Sequence, residues 1–139
     1  MTAAFPTSPL IERLITELGW PLLNDQDALT RYTAGLGDHC LFIPGDPAKN
    51  LETNDAAVVL PELVQAWQGR FDCAVVGPEI EQSARTGFDV WPTPSLIFFR
   101  DGRQIGAIPR VRDWSDYLTR IRLILDETDP AETARPAAE

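Results

Sequence analysis

The stretch from Trp91 to Ile108 constrains this chain more than any other. Trp91-Pro92-Thr93-Pro94 leads directly into Ser95-Leu96-Ile97-Phe98-Phe99, a strong strand pattern. Asp101-Gly102 marks a hairpin turn, and Gln104 to Ile108 returns as the second strand. A hairpin this late in the chain adds antiparallel edge strands to whatever sheet the upstream segments build.

Upstream, apolar periodicity alternates between helix and strand. Leu10, Ile11, Leu14, Ile15 and Leu18 form one helix face, with Ser8 as N-cap, Pro9 at the first position and Gly19 at the exit. Trp20 to Leu23 is a short strand. Asn24 or Asp25 caps a second short helix that ends at Gly35 or Gly37. Cys40 to Ile43 is continuously apolar, which suits a central, doubly covered strand. After the loop Pro44 to Asn54, Asn54 or Asp55 caps a long helix with the stripe Val59, Leu60, Leu63, Val64 and Trp67. Pro61 should kink that helix, because it lacks an N–H. Phe71 to Val76 is another strand, and Pro78 to Arg85 a short helix ending at Gly87. Asp113 caps a last helix carrying Trp114, Tyr117, Leu118, Ile121, Ile124 and Leu125. This order implies an α/β fold: a mixed sheet of four to five strands, flanked by helices, with a C-terminal hairpin plus helix. The domain is expected over residues 1–125. Residues 126–139, rich in Pro, Ala and acids, read as a disordered acidic tail carrying −4 of the net charge of −9.

The charge, from 12 basic and 21 acidic residues, argues against a nucleic-acid partner, which needs clustered Lys and Arg. It suits either a basic peptide partner or mere solubility. No apolar run reaches the ~20 residues of a membrane span. Met1 to Leu10 shows no signal-peptide layout, so the expected location is cytoplasmic. Cys40 and Cys73 are far apart and form no C-x-x-C. With a single histidine, His39, a tetrahedral Cys/His metal site cannot be filled without carboxylates, and no metal or cofactor is expected.

The run Gly87-Phe88-Asp89-Val90-Trp91-Pro92-Thr93-Pro94-Ser95-Leu96-Ile97-Phe98-Phe99-Arg100-Asp101-Gly102 resembles thioredoxin. In that fold a Gly-aromatic pair leads to a cis-proline, an apolar strand, a turn with Gly and a second strand. Pro94 stands where the cis-proline belongs. The redox cysteines of thioredoxins open the long helix after the central strand, but here that region reads Leu51-Glu52-Thr53-Asn54-Asp55-Ala56. Disulfide exchange needs a thiolate with a resolving thiol beside it, so oxidoreductase activity of the usual kind is excluded. Gly45-Asp46-Pro47-Ala48-Lys49 through Asn54-Asp55 in place of the redox motif, followed by Phe88 to Pro94, resembles the thioredoxin-like accessory proteins of NiFe-hydrogenase maturation, the HyaE/HupG/HoxO group. The likeness covers roughly Leu10 to Leu125. It implies a non-catalytic chaperone that engages the hydrogenase small-subunit precursor, including its twin-arginine signal peptide, and that meets other maturation factors.

Under that resemblance the candidate peptide-binding residues are Glu52, Asp55, Asp89, Trp91, Thr93 and Pro94. The backbone beside Pro94 could add an extended peptide as a strand, or Pro94 could be purely structural. Trp91 is either an exposed anchor or a residue packed under the loop from Pro44 to Asn54. Glu52, Asp55 and Asp89 could pair with partner arginines; for Asp55 the competing role is helix capping. Cys40 and Cys73, expected on neighbouring strands, read as small buried hydrophobes. The alternatives are a thiol-dependent enzyme using Cys40 or Cys73, and a scaffold that only docks other maturation factors. His39 reads as a strand-end residue rather than a ligand.

Overall fold

The Ser8 hydroxyl accepts a hydrogen bond from the Ile11 amide at 3.2 Å and Pro9 stands at the first helical position, so α1 (Pro9–Thr16) starts where cap and proline place it. The structure is a computed structural model that describes residues 8–50 and 52–127. Strand β1 is only Leu22–Leu23, half of the expected Trp20 to Leu23. Pro21, with no N–H to donate, stands outside it. Asp25 caps α2 (Gln26–Ala34) through the Ala28 amide at 2.8 Å, and Gly35 ends it.

The other elements are β2 (Asp38–Ile43), α3 (Glu52–Ala66), β3 (Phe71–Val76), α4 (Glu81–Phe88), β4 (Ser95–Arg100), β5 (Arg103–Pro109) and α5 (Trp114–Glu127). The sheet order is β1-β3-β2-β4-β5. β1 and β2 both run parallel to β3, while β4 is antiparallel to β2 and β5 antiparallel to β4. The mixed sheet and its late hairpin are therefore as expected.

Strand alternation sorts the core into two layers. Cys40, Phe42, Cys73, Val75, Leu96 and Phe98 meet Ile11 and Leu14 of α1, Leu60 and Leu63 of α3, and Tyr117 and Ile121 of α5. Leu41, Ile43, Ala74, Val76, Ile97 and Phe99 meet Leu29 of α2 and Ile80 and Ala84 beside and within α4. Helices on both faces explain why Cys40 to Ile43 is apolar without a break: each of these residues is buried.

Several helix boundaries also differ from the sequence reading. Helix α3 begins at Glu52, so neither Asn54 nor Asp55 caps it; Asn50 takes that role, its Oδ1 accepting from the Glu52 amide at 3.0 Å. The helix continues through Pro61 to Ala66. Gly87 lies inside α4 rather than at its exit, and the left-handed C-cap is Asp89 (φ 57°). Aspartate tolerates that conformation better than most non-glycine residues. Helix α5 takes in Asp126 and Glu127, two residues expected to begin the tail, because Arg70 bonds the Asp126 carboxylate at 3.0 Å and the Leu125 carbonyl at 3.1 Å. The rest of the expected tail, and residues 1–7 of the expected domain, lie outside the described residues.

Candidate functional site

Three chain segments meet around the Thr93–Pro94 peptide, which is cis. They are the loop from Pro44 to Asn50 that enters α3, the turn from Asp89 to Pro94 between α4 and β4, and the connection from Arg110 to Asp113 between β5 and α5. This is the place where the resemblance puts a redox pair.

Polar contacts fill it. The fully buried Thr53 donates its hydroxyl to the Pro44 carbonyl at 2.6 Å, folding the entry loop back onto α3. Asn50 donates its Nδ2 to the Thr93 carbonyl. Gly45 has φ +80°, and a Cβ there would stand 2.6 Å from the Thr93 hydroxyl oxygen, so only glycine lets the loop approach this closely. The Gly45 amide donates to Glu81 Oε1 at 3.2 Å, and burial pushes the Glu81 carboxyl above its ordinary pKa against the pull of that bond.

On the other side, Arg110 grips Glu52 with two parallel bonds, Nε to Oε1 at 3.1 Å and Nη2 to Oε2 at 3.0 Å. The Val111 amide adds a third at 3.3 Å. Arg110 first, and then that amide, hold the Glu52 carboxyl below the usual carboxylate range. Glu52 thus already has an arginine from its own chain. Asp55, with α3 starting earlier than expected, stands exposed in the first turn of that helix rather than at its cap. Its charge complements the helix dipole there.

Trp91 is 47% exposed, so it does not pack under the Pro44–Asn54 loop. Its orientation is set by two neighbours. Arg85 lies over the indole ring, 5.7 Å from the centroid, and donates its Nε to the Trp91 carbonyl at 2.8 Å. Asp89 accepts from the indole Nε1 at 3.3 Å. The result is a large apolar ring presented to solvent with its polar edge already satisfied. Sequence reasoning selected Asp89, Trp91, Thr93 and Pro94 here but passed over Arg85, Arg110 and Asn50. Arg85 lies six residues from Trp91, close enough to be sought. The Asn50–Thr93 and Glu52–Arg110 contacts span 43 and 58 residues, and no local pattern signals them.

Thiol chemistry has no foothold at this place. Cys40 and Cys73 are register partners on β2 and β3, both free and buried. Burial, and then the neighbouring Cys40, pushes the Cys73 thiol well above its usual pKa, which disfavours the nucleophilic thiolate. Among the described residues no three His, Cys, Asp or Glu side chains come together as a metal site. No helix among them is long and apolar enough to cross a membrane.

His39 lies toward the opposite end of the sheet, at the start of β2. Its Nδ1 meets Asp72 Oδ1 at 2.7 Å and its Nε2 meets the Leu36 carbonyl at 2.8 Å. Both partners are acceptors, an arrangement that favours the doubly protonated ring. Burial opposes that charge, but the Asp72 carboxylate outweighs it and raises the pKa above 6.5; the Leu36 carbonyl and Asp38 add to the rise. Tyr32, whose ring lies 5.1 Å away, donates its hydroxyl to the same Asp72 oxygen. A raised folded-state pKa stabilises the fold fully below the unfolded value of about 6.5 and ceases to as pH rises through the folded value. Urea denaturation should therefore show stability declining as pH rises above about 6.5. His39→Gln should remove that part of the decline; an unchanged pH profile in the variant would refute the assignment.

A family model described as hydrogenase-1 expression protein HyaE matches residues 10–117. The hydrogenase expression/formation protein HupG of Rhodobacter capsulatus is 56% identical over 119 residues, covering 86% of each chain. The crystal structure of a putative hydrogenase expression/formation protein hupG from Rhodopseudomonas palustris CGA009 is 35% identical, with a TM-score of 0.51 over 79% of this chain and 98% of that one. A mutant thioredoxin from Halobacterium salinarum NRC-1, only 19% identical, superposes with a TM-score of 0.60 over 73% of this chain and 87% of its own. The fold is thioredoxin-like.

Proposed function

From the premise that this chain belongs to the HyaE family of hydrogenase expression proteins, we propose that it is a non-catalytic chaperone for the hydrogenase small-subunit precursor. In this reading it acts in the cytoplasm, before export, and recognises the precursor together with its twin-arginine signal peptide. The observation that carries the reading is Trp91. A tryptophan 47% exposed and fixed between Arg85 and Asp89 has the character of an interface anchor. It stands beside a thioredoxin-type turn that faces Asn50 and Glu52 where thiols would be needed for redox chemistry.

The roles of the acids divide on geometry. Glu52 is engaged by Arg110, so partner arginines would fall to Asp55 and Asp89, both exposed. Asp89 would do this while keeping its bond to the Trp91 indole, since a carboxylate has several acceptor positions.

Co-purification tests the reading. The tagged full chain is presented with the small-subunit precursor and, separately, with the same subunit lacking its signal peptide. Retention of the precursor and weaker retention of the truncated form is the expected result. Equal retention of both would point to a scaffold indifferent to the signal peptide. Retention of neither, by a folded bait, would overturn the proposal.

A further inference from the structure

We propose that the Asn50 side chain is a built-in competitor for the backbone of the turn at Thr93–Pro94, occupying its Thr93 carbonyl until a partner displaces it. The proposal rests on the peptide-binding reading above and concerns how that site is kept.

The carbonyls on either side of the Thr93–Pro94 bond are both in use. The Pro94 carbonyl accepts from the Arg110 amide at 2.8 Å, which continues the pairing of β4 with β5. The Thr93 carbonyl lies outside any strand and accepts from Asn50 Nδ2. Strand addition at this turn would require the Thr93 carbonyl as an acceptor for an incoming backbone N–H. A primary carboxamide offers the same N–H donor as a peptide group, so Asn50 supplies from within the chain what a peptide would supply from outside.

Asn50 is not there by chance of rotamer. Its Oδ1 accepts from the Glu52 amide at 3.0 Å, so both ends of the carboxamide are engaged. Its loop is anchored by Thr53 on the Pro44 carbonyl, and Gly45 closes against the Thr93 side chain at a distance that admits no Cβ. The loop and the turn thus meet as a fitted pair. Exchange of Asn50 for a peptide N–H replaces one amide–carbonyl bond by another of the same kind, and that swap alone yields little net affinity. A partner must therefore gain elsewhere, and exposed Trp91 lies two residues away. The turn discriminates against any extended chain that offers only its backbone.

The test pairs one variant with one spectroscopic readout on the full chain. Asn50→Ser keeps an oxygen able to accept from the Glu52 amide but is too short to reach Thr93 and adds no charge. It should bind the small-subunit precursor about 2–10-fold more tightly than the unmodified chain. In isotopically labelled unmodified protein, a through-hydrogen-bond coupling between Asn50 Nδ2 and the Thr93 carbonyl carbon should be present in the free state. It should vanish at saturation with precursor. A coupling that persists at saturation, or an Asn50→Ser variant that binds equally or more weakly, overturns this proposal and leaves the chaperone reading standing. Absence of binding by both proteins removes the chaperone reading, and this proposal with it.

Discussion

Replacing Trp91 with alanine should weaken binding of the small-subunit precursor by about 30-fold or more while leaving the urea midpoint almost unchanged. The size follows from what the residue presents. A tryptophan ring is among the largest apolar surfaces a single side chain can bury on association, and its cost in lost freedom is small when neighbours already hold it. Arg85 behind the ring and Asp89 at its nitrogen supply that holding. The small effect on stability follows from position: Trp91 is 47% exposed and belongs to neither core layer. Calorimetric titration and a denaturation curve on the same preparation separate the two quantities. A loss of stability parallel to the loss of binding would mean that the ring supports the turn rather than the partner.

Asp38→Ala should have the largest effect on the fold, about 3–5 kcal/mol of lost stability. Arg100 lies at the end of β4 with its side chain 7% exposed, and Asp38 at the start of β2 is 12% exposed. The guanidinium donates Nε to Asp38 Oδ1 at 2.6 Å and Nη2 to Oδ2 at 3.0 Å. Nη2 also reaches the Leu125 carbonyl at 2.8 Å, tying the last turn of α5 to the sheet. Arg70 joins from the other side, 3.7 Å from Asp38 Oδ2. Removing the carboxylate takes the bidentate counter-charge from a buried cation, which costs far more than the pair contributes when intact. Urea denaturation of Asp38→Ala beside Arg100→Met separates these terms. The methionine variant leaves Asp38 with a second cation, Arg70, 3.7 Å away, whereas the alanine variant leaves Arg100 with no carboxylate, so the methionine variant should lose less. Equal losses would mean that packing, not the uncompensated charge, sets the cost.

Much of the fold was legible because it is written in local patterns. The continuous apolar run at Cys40 to Ile43 announced a strand covered on both faces, and Ser95 to Phe99 announced a strong strand. Ser8, Asp25 and Asp113 announced helix starts, and each accepts from a first-turn amide. The errors arose where distant residues decide the geometry. Strand β2 takes in His39, read from the sequence as a strand-end residue, and extends one further to Asp38, because Arg100 and Asp72 pair with them across the sheet. The start of α3 was missed because Asn50, read as loop punctuation, caps it two residues ahead.

The candidate site divides the same way. The turn around Trp91, Thr93 and Pro94 stood out because prolines and an aromatic cluster in sequence. The internal engagement of Glu52 and of the Thr93 carbonyl was invisible, since Arg110 and Asn50 reach them only through the folded chain. That engagement changes the meaning of the site. The resemblance implied an edge open to peptide; in the structure the Thr93 carbonyl is taken by Asn50, and Trp91 beside it is half exposed and held between Arg85 and Asp89.

The proposed function is one of binding and not of thiol exchange. Its most direct test is the affinity of the full chain for the small-subunit precursor, measured with and without a thiol reductant and followed by non-reducing electrophoresis. One dissociation constant under both conditions and no covalent adduct are expected, because Cys40 and Cys73 lie buried within the sheet. A complex that forms only in one redox state, or a reductant-sensitive adduct through either cysteine, would contradict it.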